Sequence, residues 1–153
     1  MNLPVLNAMI PSNEACIVDS LKLIMETRAR KIGFLGFSFK AGTDDLRESP
    51  VVEIIERLLG KGYEIKLYDK NINLAALIGA NRDFILHKIP HIARLMAQEM
   101  EDVLAHADTL VIGNHAPEFM HISEALRPGQ QVVDLVRAIR GKVSNTSYKG
   151  RCW

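Results

Sequence analysis

The sequence is short of cysteine, of net charge and of long apolar runs, and each shortage removes a class of protein. Two cysteines, Cys16 and Cys152, stand far apart in 153 residues. That spacing describes no disulfide framework, and Met1-Asn2-Leu3-Pro4 lacks the charged-then-apolar layout of a secretory leader. A reduced, cytoplasmic protein is expected. Nineteen basic residues face eighteen acidic ones, a formal charge of +1, which excludes the clustered basic excess of a nucleic-acid footprint. No apolar run approaches the roughly eighteen residues of a membrane span. Internal repeats and low-complexity runs are absent. The dinucleotide fingerprint G-x-G-x-x-G is also missing: Gly33 and Gly36 read as lying inside a strand, and no such motif opens the next helix. His87 and His91 have the i, i+4 spacing of a zinc pair, but Pro90 between them disfavours a shared helix and no third ligand is evident. No metal is expected.

What is present suits one ordinary globular domain: hydrophobic residues make up 48% of the chain, enough for a core. After Pro11, Ser12 is placed to cap a helix carrying Ile17, Val18, Leu21, Ile24 and Met25 and running to about Arg28. Residues 31–37 read as a buried strand. Ser49 and Pro50 open a second helix with Val51, Ile54, Ile55, Leu58 and Leu59 on one face, ended by Gly60 or Gly62. Residues 64–69 are a second strand. The stretch from Asn71 to Ala107 predicts short helices near Leu74–Ile78, around Ile92–Met96 and over Met100–Ala107, with Pro90 breaking or beginning one. Residues 109–114 and 131–136 read as further strands, with helical character over Glu118–Leu126 and a turn at Pro128-Gly129. The tail from Gly141 is polar, poorly patterned and expected to be partly mobile. Alternating strands and helices predict a Rossmann-like three-layer αβα domain with a mainly parallel sheet, preceded by an N-terminal helix.

Ligands of open α/β sheets bind outside the carboxyl ends of the strands. The first such place is the loop from Ser38 to Ser49, about twice the usual two to six residues. It holds Lys40, Asp44, Asp45, Arg47 and Glu48. Lys40 as a compact charge and Arg47 as a two-pronged donor, beside a helix N-terminus, suit an anionic ligand such as a phosphate. Equally, Arg47 could pair with Asp44 or Asp45 for structure alone. Elsewhere, His115 and His121 read as surface histidines near a possible pocket. Cys16 reads as a core position, and Cys152 has no basic neighbour to activate it. Asp134 either reaches a ligand or is held by backbone donors.

The segment from Gly33 to Pro50, with G-F-x-F-K followed by T-x-D-x-R-x-S-P, resembles the opening of the C-terminal domain of the UDP-glucose/GDP-mannose dehydrogenase family. The form Ala-Gly-Thr-Asp-Asp-Leu-Arg-Glu-Ser-Pro is more similar to the GDP-mannose branch than to the UDP-glucose branch. The likeness continues at Gly60-Lys-Gly-Tyr-Glu-Ile, Lys88-Ile-Pro-His91, Gly113-Asn114 and the final Cys152-Trp153. It implies a sugar-nucleotide-binding domain over residues 31–153, after a helical linking segment over 1–30. It also implies an NAD-dependent oxidation of a sugar C6 hydroxyl to a carboxylate, with GDP-mannose or a UDP-sugar as substrate. The family's NAD-binding fingerprint and its nucleophilic cysteine motif, G-G-S-C-x-x-K-D, do not occur here. The resemblance therefore implies a piece inactive alone, whose partner is the N-terminal NAD-binding domain and whose full-length form is a homo-oligomer. No catalytic residue transfers. Lys40 matches the family lysine that contacts the sugar nucleotide, Phe39 the residue beside it, and Arg47 the arginine that reaches the cofactor. The D-G-R element of the UDP-glucose enzymes is out of register at Asp134-Leu-Val-Arg137. A receiver domain or a plain interaction module remains as an alternative. The third strand, however, ends in Asn114 rather than an aspartate, and Asp44 and Asp45 lie far beyond the first strand.

Overall fold

The computed structural model describes residues 4–139 and 147–150. Five strands, β1 (Lys31–Leu35), β2 (Glu64–Tyr68), β3 (Thr109–Ile112), β4 (Gln131–Asp134) and β5 (Ser147–Gly150), form one sheet in the order β2-β1-β3-β4-β5. Every pairing is parallel. Four α-helices accompany them: α1 (Pro4–Met25), α2 (Pro50–Gly60), α3 (Gly79–Lys88) and α4 (Met100–His106). The expected three-layer α/β architecture is what forms.

Alternation along the strands decides which helix covers which face. Ile32 and Phe34 of β1, Ile65 and Leu67 of β2, Val111 of β3 and Val133 of β4 point to one side, where they pack with Leu21 and Ile24 of α1, the apolar stripe of α2 and Ile85 of α3. Leu35, Leu110, Ile112 and Val132 point to the other side, against Val103, Leu104 and Ala107 of α4 and Phe119 and Ile122 from two short 3-10 turns. Both faces are dry, which is why the strands read as near-continuous apolar runs. Outside the core, α1, α2 and α3 are laced by charge. Arg57 bonds Glu14 through both terminal nitrogens at 2.7 and 3.0 Å, and Glu53 through Nε at 3.0 Å. Lys88 bonds Glu53 at 3.0 Å. These cations hold the carboxyls of Glu14 and Glu53 below their ordinary range.

Several local expectations need correction. The first helix does not start at Ser12; it begins at Pro4 and contains Pro11, whose ring is accommodated because the helix is exposed over residues 7–14. Ser49 stands at the N-cap of α2, yet its hydroxyl donates to Phe37 O at 2.8 Å instead of capping. The predicted helix over Leu74–Ile78 is a run of turns, and the helix forms one step later, from Gly79 to Lys88, ending before Pro90. The helices around Ile92–Met96 and Glu118–Leu126 shrink to 3-10 turns. Gly36 lies just past β1, not within it. His87 closes α3 while His91 lies beyond it, so the two never share a helix face. Part of the polar tail, Ser147–Gly150, is an edge strand, so it is not wholly irregular. Cys152 lies outside the described residues.

That fifth strand explains Asp134. The residue is fully buried. Its Oδ1 accepts from Val136 N and Ala138 N, each at 3.1 Å, and its Oδ2 from Ile139 N at 3.1 Å and the Tyr148 hydroxyl at 2.9 Å. Of the two roles open to Asp134, the structural one is observed: it ties β5 to the turn after β4. Asp134→Ala strands these donors in a dry interior and is expected to destabilise the chain by about 3 kcal/mol or more. Urea unfolding followed by circular dichroism measures this, and a loss below about 1 kcal/mol would show the turn is held by other means.

Candidate functional site

The sheet order places a topological switch point between β1 and β3. The chain moves outward to β2 in one direction and to β3, β4 and β5 in the other, leaving a crevice at the carboxyl ends of the two central strands. A cavity of about 290 Å³ opens there, between Ser38 and Phe39 after β1, Gly113 after β3, Ile17 of α1 and Val51 of α2. Its lining is mainly apolar, as ligand clefts usually are. A larger groove of about 510 Å³ between α1, α2 and α3 is lined by Glu14, Glu53, Arg57 and Lys88. Those charges already satisfy one another, so the β1/β3 crevice is the better candidate.

A buried polar knot fixes the rim of this crevice. Asp69, immediately after β2 and 4% exposed, turns its carboxylate inward. Its Oδ2 accepts from Phe37 N at 3.0 Å, Ser38 N at 3.1 Å, the Ser38 hydroxyl at 2.9 Å and Asn114 Nδ2 at 3.2 Å. Its Oδ1 accepts from Asn71 N at 3.1 Å. Asn114, after β3, also donates to Ser38 Oγ at 3.0 Å, while its Oδ1 accepts from Ala116 N at 3.2 Å. One aspartate thus joins the ends of β1, β2 and β3. The backbone is shaped to allow it. Gly36 has φ +77°, and a Cβ there would stand 2.3 Å from Asn114 Oδ1. A Cβ on Gly113 would stand 2.3 Å from Gly36 O. Glycine at both positions lets the ends of β1 and β3 close on the amide.

From this knot the long loop leaves as a braced structure. Phe39 N donates back to Asp45 O at 2.8 Å, and Thr43 closes a turn onto Lys40 O through N at 3.2 Å and Oγ1 at 2.8 Å. Leu46 is fully buried beneath the loop. Asn81 of α3 clamps it from outside, accepting from Leu46 N at 2.9 Å and donating to Asp44 O at 2.8 Å. The loop presents Phe39, 61% exposed, together with Lys40 and Arg47 to solvent, and the acidic Asp44 and Glu48 are exposed beside them.

The two cations differ. The Lys40 ammonium makes no ion pair or hydrogen bond among the described residues. Arg47 bonds Asp45 through Nε to Oδ1 and through Nη2 to Oδ2, each at 2.9 Å, and its backbone N donates to Oδ1 at 3.0 Å. Of the partners considered for Arg47, Asp45 is therefore the one engaged. The guanidinium bonds and the Arg47 N–H lower the Asp45 carboxyl from an ordinary 3.8 to about 2. A depressed carboxyl pKa means the pairing is complete above about pH 4 and disappears as pH falls through about 2.

The crevice does not fit a dinucleotide in the usual way. That mode needs a glycine-rich turn opening onto a helix and a free acid after β2 for the ribose hydroxyls. Here the turn is replaced by the long loop, and Asp69 is consumed inside the knot. Sequence reasoning picked out Phe39, Lys40 and Arg47, and the structure sets all three on one braced loop. It did not find Asp69, Asn114 and Asn81. The first two carried a signal, a polar side chain just past the end of a strand, β2 for Asp69 and β3 for Asn114; Asn81, on a helix of weak periodicity, carried none. His115 and His121 are exposed, and Cys16 is half-buried on the cavity wall rather than in the core. Among the described residues, no three histidine, cysteine or acidic side chains gather as metal ligands, and no helix is long and apolar enough to cross a membrane.

Comparison with known proteins agrees with this geometry. GDP-mannose 6-dehydrogenase from Pseudomonas putida is 43% identical over 98% of the chain, and that from Pseudomonas aeruginosa is 41% identical over 98%. The chain spans 34% of the length of each, about a third of the curated relatives it matches. The crystal structure of a ternary complex of GDP-mannose dehydrogenase from Pseudomonas aeruginosa superposes with a TM-score of 0.85 at 40% identity, covering 99% of this chain and 35% of that one. A UDP-glucose dehydrogenase from Pyrobaculum islandicum shares the fold at 22% identity, with a TM-score of 0.70 over 94% of this chain and 31% of its own. Residues 33–141 match the family model described as the UDP binding domain, and the chain belongs to the UDP-glucose/GDP-mannose dehydrogenase family.

Proposed function

We propose that this chain supplies the sugar-nucleotide-binding part of a cytoplasmic, NAD-dependent GDP-mannose 6-dehydrogenase, in which the acid product feeds polysaccharide synthesis. The observation that carries this reading is the braced loop. It carries a lysine unpaired among the described residues and an exposed arginine on the segment that leaves the switch-point crevice at Phe39, in a chain whose relatives of that activity match it over almost all its length. In this reading Lys40 meets a phosphate of GDP-mannose and Phe39 borders the same ligand. Arg47 meets the pyrophosphate of an NAD held by a separate N-terminal domain. NAD supplies the hydride acceptor; this chain's part is to bind, to place charge and to close the site. The domain proper runs over residues 31–153 and the first thirty residues form its helical link, with the full assembly a homo-oligomer.

Titration calorimetry with GDP-mannose, GDP and UDP-glucose tests the reading. The expected result is salt-sensitive binding that favours the guanosine ligands, weakened about fivefold to tenfold in Lys40→Ala, as suits one charge-assisted contact at an exposed site. Equal binding of all three ligands, or none, would remove the chain from substrate selection. With GDP-mannose and NAD, the chain alone is expected to produce no NADH, because its described residues form no dinucleotide cradle. NADH formation read at its absorbance band would refute the division of labour.

Asp69→Asn is a third test. The amide keeps one acceptor oxygen, so whichever way it turns its NH2 faces donors, those of Phe37, Ser38 and Asn114 or the N–H of Asn71. GDP affinity is expected to fall although Lys40 is untouched, with faster amide exchange over residues 37–46. Unchanged affinity would mean the loop needs no buried carboxylate to present its cation.

A further inference from the structure

Asp45 is placed to do more than neutralise Arg47. A guanidinium has two donor edges: a side edge formed by Nε and Nη2, and an end edge formed by Nη1 and the second hydrogen of Nη2. Asp45 takes the side edge with both of its oxygens, at 2.9 Å each. It is itself fixed at three points. Oδ1 also accepts the Arg47 backbone N–H at 3.0 Å, its carbonyl accepts Phe39 N–H at 2.8 Å, and the next residue, Leu46, is buried and clamped by Asn81. An exposed arginine would ordinarily sample many rotamers; this one is tied to a carboxylate that is part of the loop frame.

We propose that Asp45 is a positioning residue for oxyanion binding: by holding the side edge of Arg47, it leaves the end edge fixed and open as a two-pronged seat for one phosphate of a pyrophosphate ligand. The inference rests on the reading of Arg47 as a ligand-binding residue and adds how its geometry is set. It opposes the alternative that Asp45 is a latch, occupying the arginine until a phosphate displaces it. The two give opposite signs. A positioning carboxylate stays bonded through Nε when ligand arrives, and its removal weakens binding. A latch lets go of Nε, and its removal strengthens binding.

Nitrogen-resolved NMR of the guanidinium groups in the full chain, titrated with inorganic pyrophosphate, GDP and NAD, separates them. Pyrophosphate is expected to shift the Arg47 Nη signals while the Nε–H signal stays in place. Asp45→Ala is expected to broaden the Nε–H signal and weaken pyrophosphate binding about threefold to tenfold. Asp45→Asn, which can accept from only one prong, should fall between Asp45→Ala and the unchanged chain. In the double variant Asp45→Ala/Arg47→Ala the loss should be no greater than in Arg47→Ala alone. A response to GDP but not NAD, or the reverse, identifies which pyrophosphate the seat serves. Tighter or unchanged binding in Asp45→Ala, with Arg47→Ala weakened, overturns the positioning role while leaving Arg47 as a ligand. Unchanged binding in Arg47→Ala, with no shift of its signals, overturns the reading of Arg47 itself and the inference with it. Both side chains are exposed, so neither substitution removes core, and matching unfolding midpoints check that the comparison is of folded chains.

Discussion

The inward carboxylate of Asp69 is the constraint on which the rest of the site depends. Parallel strands end in loops whose first backbone N–H groups have no ladder partner, and at the centre of a sheet those groups are buried. Phe37 N and Ser38 N would be such orphans. Asp69 satisfies both with one oxygen, while Ser38 and Asn114 complete the arrangement. A buried charge is costly unless it is surrounded by donors, and here three chain segments provide them. Because the donors come from the ends of β1, β2 and β3, shifting any one strand by a residue would break the set. The knot therefore fixes the relative heights of the strand ends, and with them the point from which the long loop departs.

A twelve-residue loop would ordinarily be the most mobile part of a small α/β domain. This one has an interior of its own. Leu46 fills it, Asn81 closes it, and the Phe39–Asp45 backbone bond joins its two limbs. Little of its apolar surface is then left to wander, and the groups that remain outside are the Phe39 ring, the Lys40 ammonium, the Arg47 guanidinium and the carboxyl groups of Asp44 and Glu48. Its order comes from backbone and amide bonds, which leave the Lys40 ammonium without a partner among the described residues, while Arg47 is bonded to Asp45. A cation held by bonds to its own frame has already lost the rotamer freedom that binding would otherwise remove.

The fold was legible in the sequence wherever periodicity was strong. The four main strands and α2 carry apolar runs or faces that admit one reading, and they form within one or two residues of the expected bounds at most ends. Three of the misses share a cause: each depends on tertiary contact rather than local pattern. Residues 147–150 become a strand because β4 offers an open edge and Asp134 captures Tyr148, and neither is visible in a polar tail. α3 has an apolar pattern too weak to outbid the turn residues before it, yet Ile85 is drawn into the main core. Ser49 looked like a cap and is instead used by Phe37 O, twelve residues earlier. The site divides the same way. Phe39, Lys40 and Arg47 were legible from an unusual loop length and a specific motif. Asp45 was legible only as one of two possible partners of Arg47, and Asp69 and Asn81 were not, because they matter through which atom each one touches.

The same knot sets this sheet apart from one built to hold a dinucleotide in the familiar manner. In that mode the acid after β2 faces outward to a ribose, and the turn after β1 is short enough for a helix N-terminus to reach the pyrophosphate. With Asp69 turned inward, its carboxyl is not free for a ribose contact, and the turn after β1 is replaced by the long loop before α2. Pro50, at the first helical position, has no N–H to offer there in any case. The positive charge of this segment is carried by side chains on the loop, two residues past the knot at Lys40 and at its far limb at Arg47. One buried aspartate thus ties the loop's departure point to three strand ends, and in the proposed reading the anion contacts come from side chains of that loop, Lys40 being unpaired among the described residues and Arg47 bonded to Asp45.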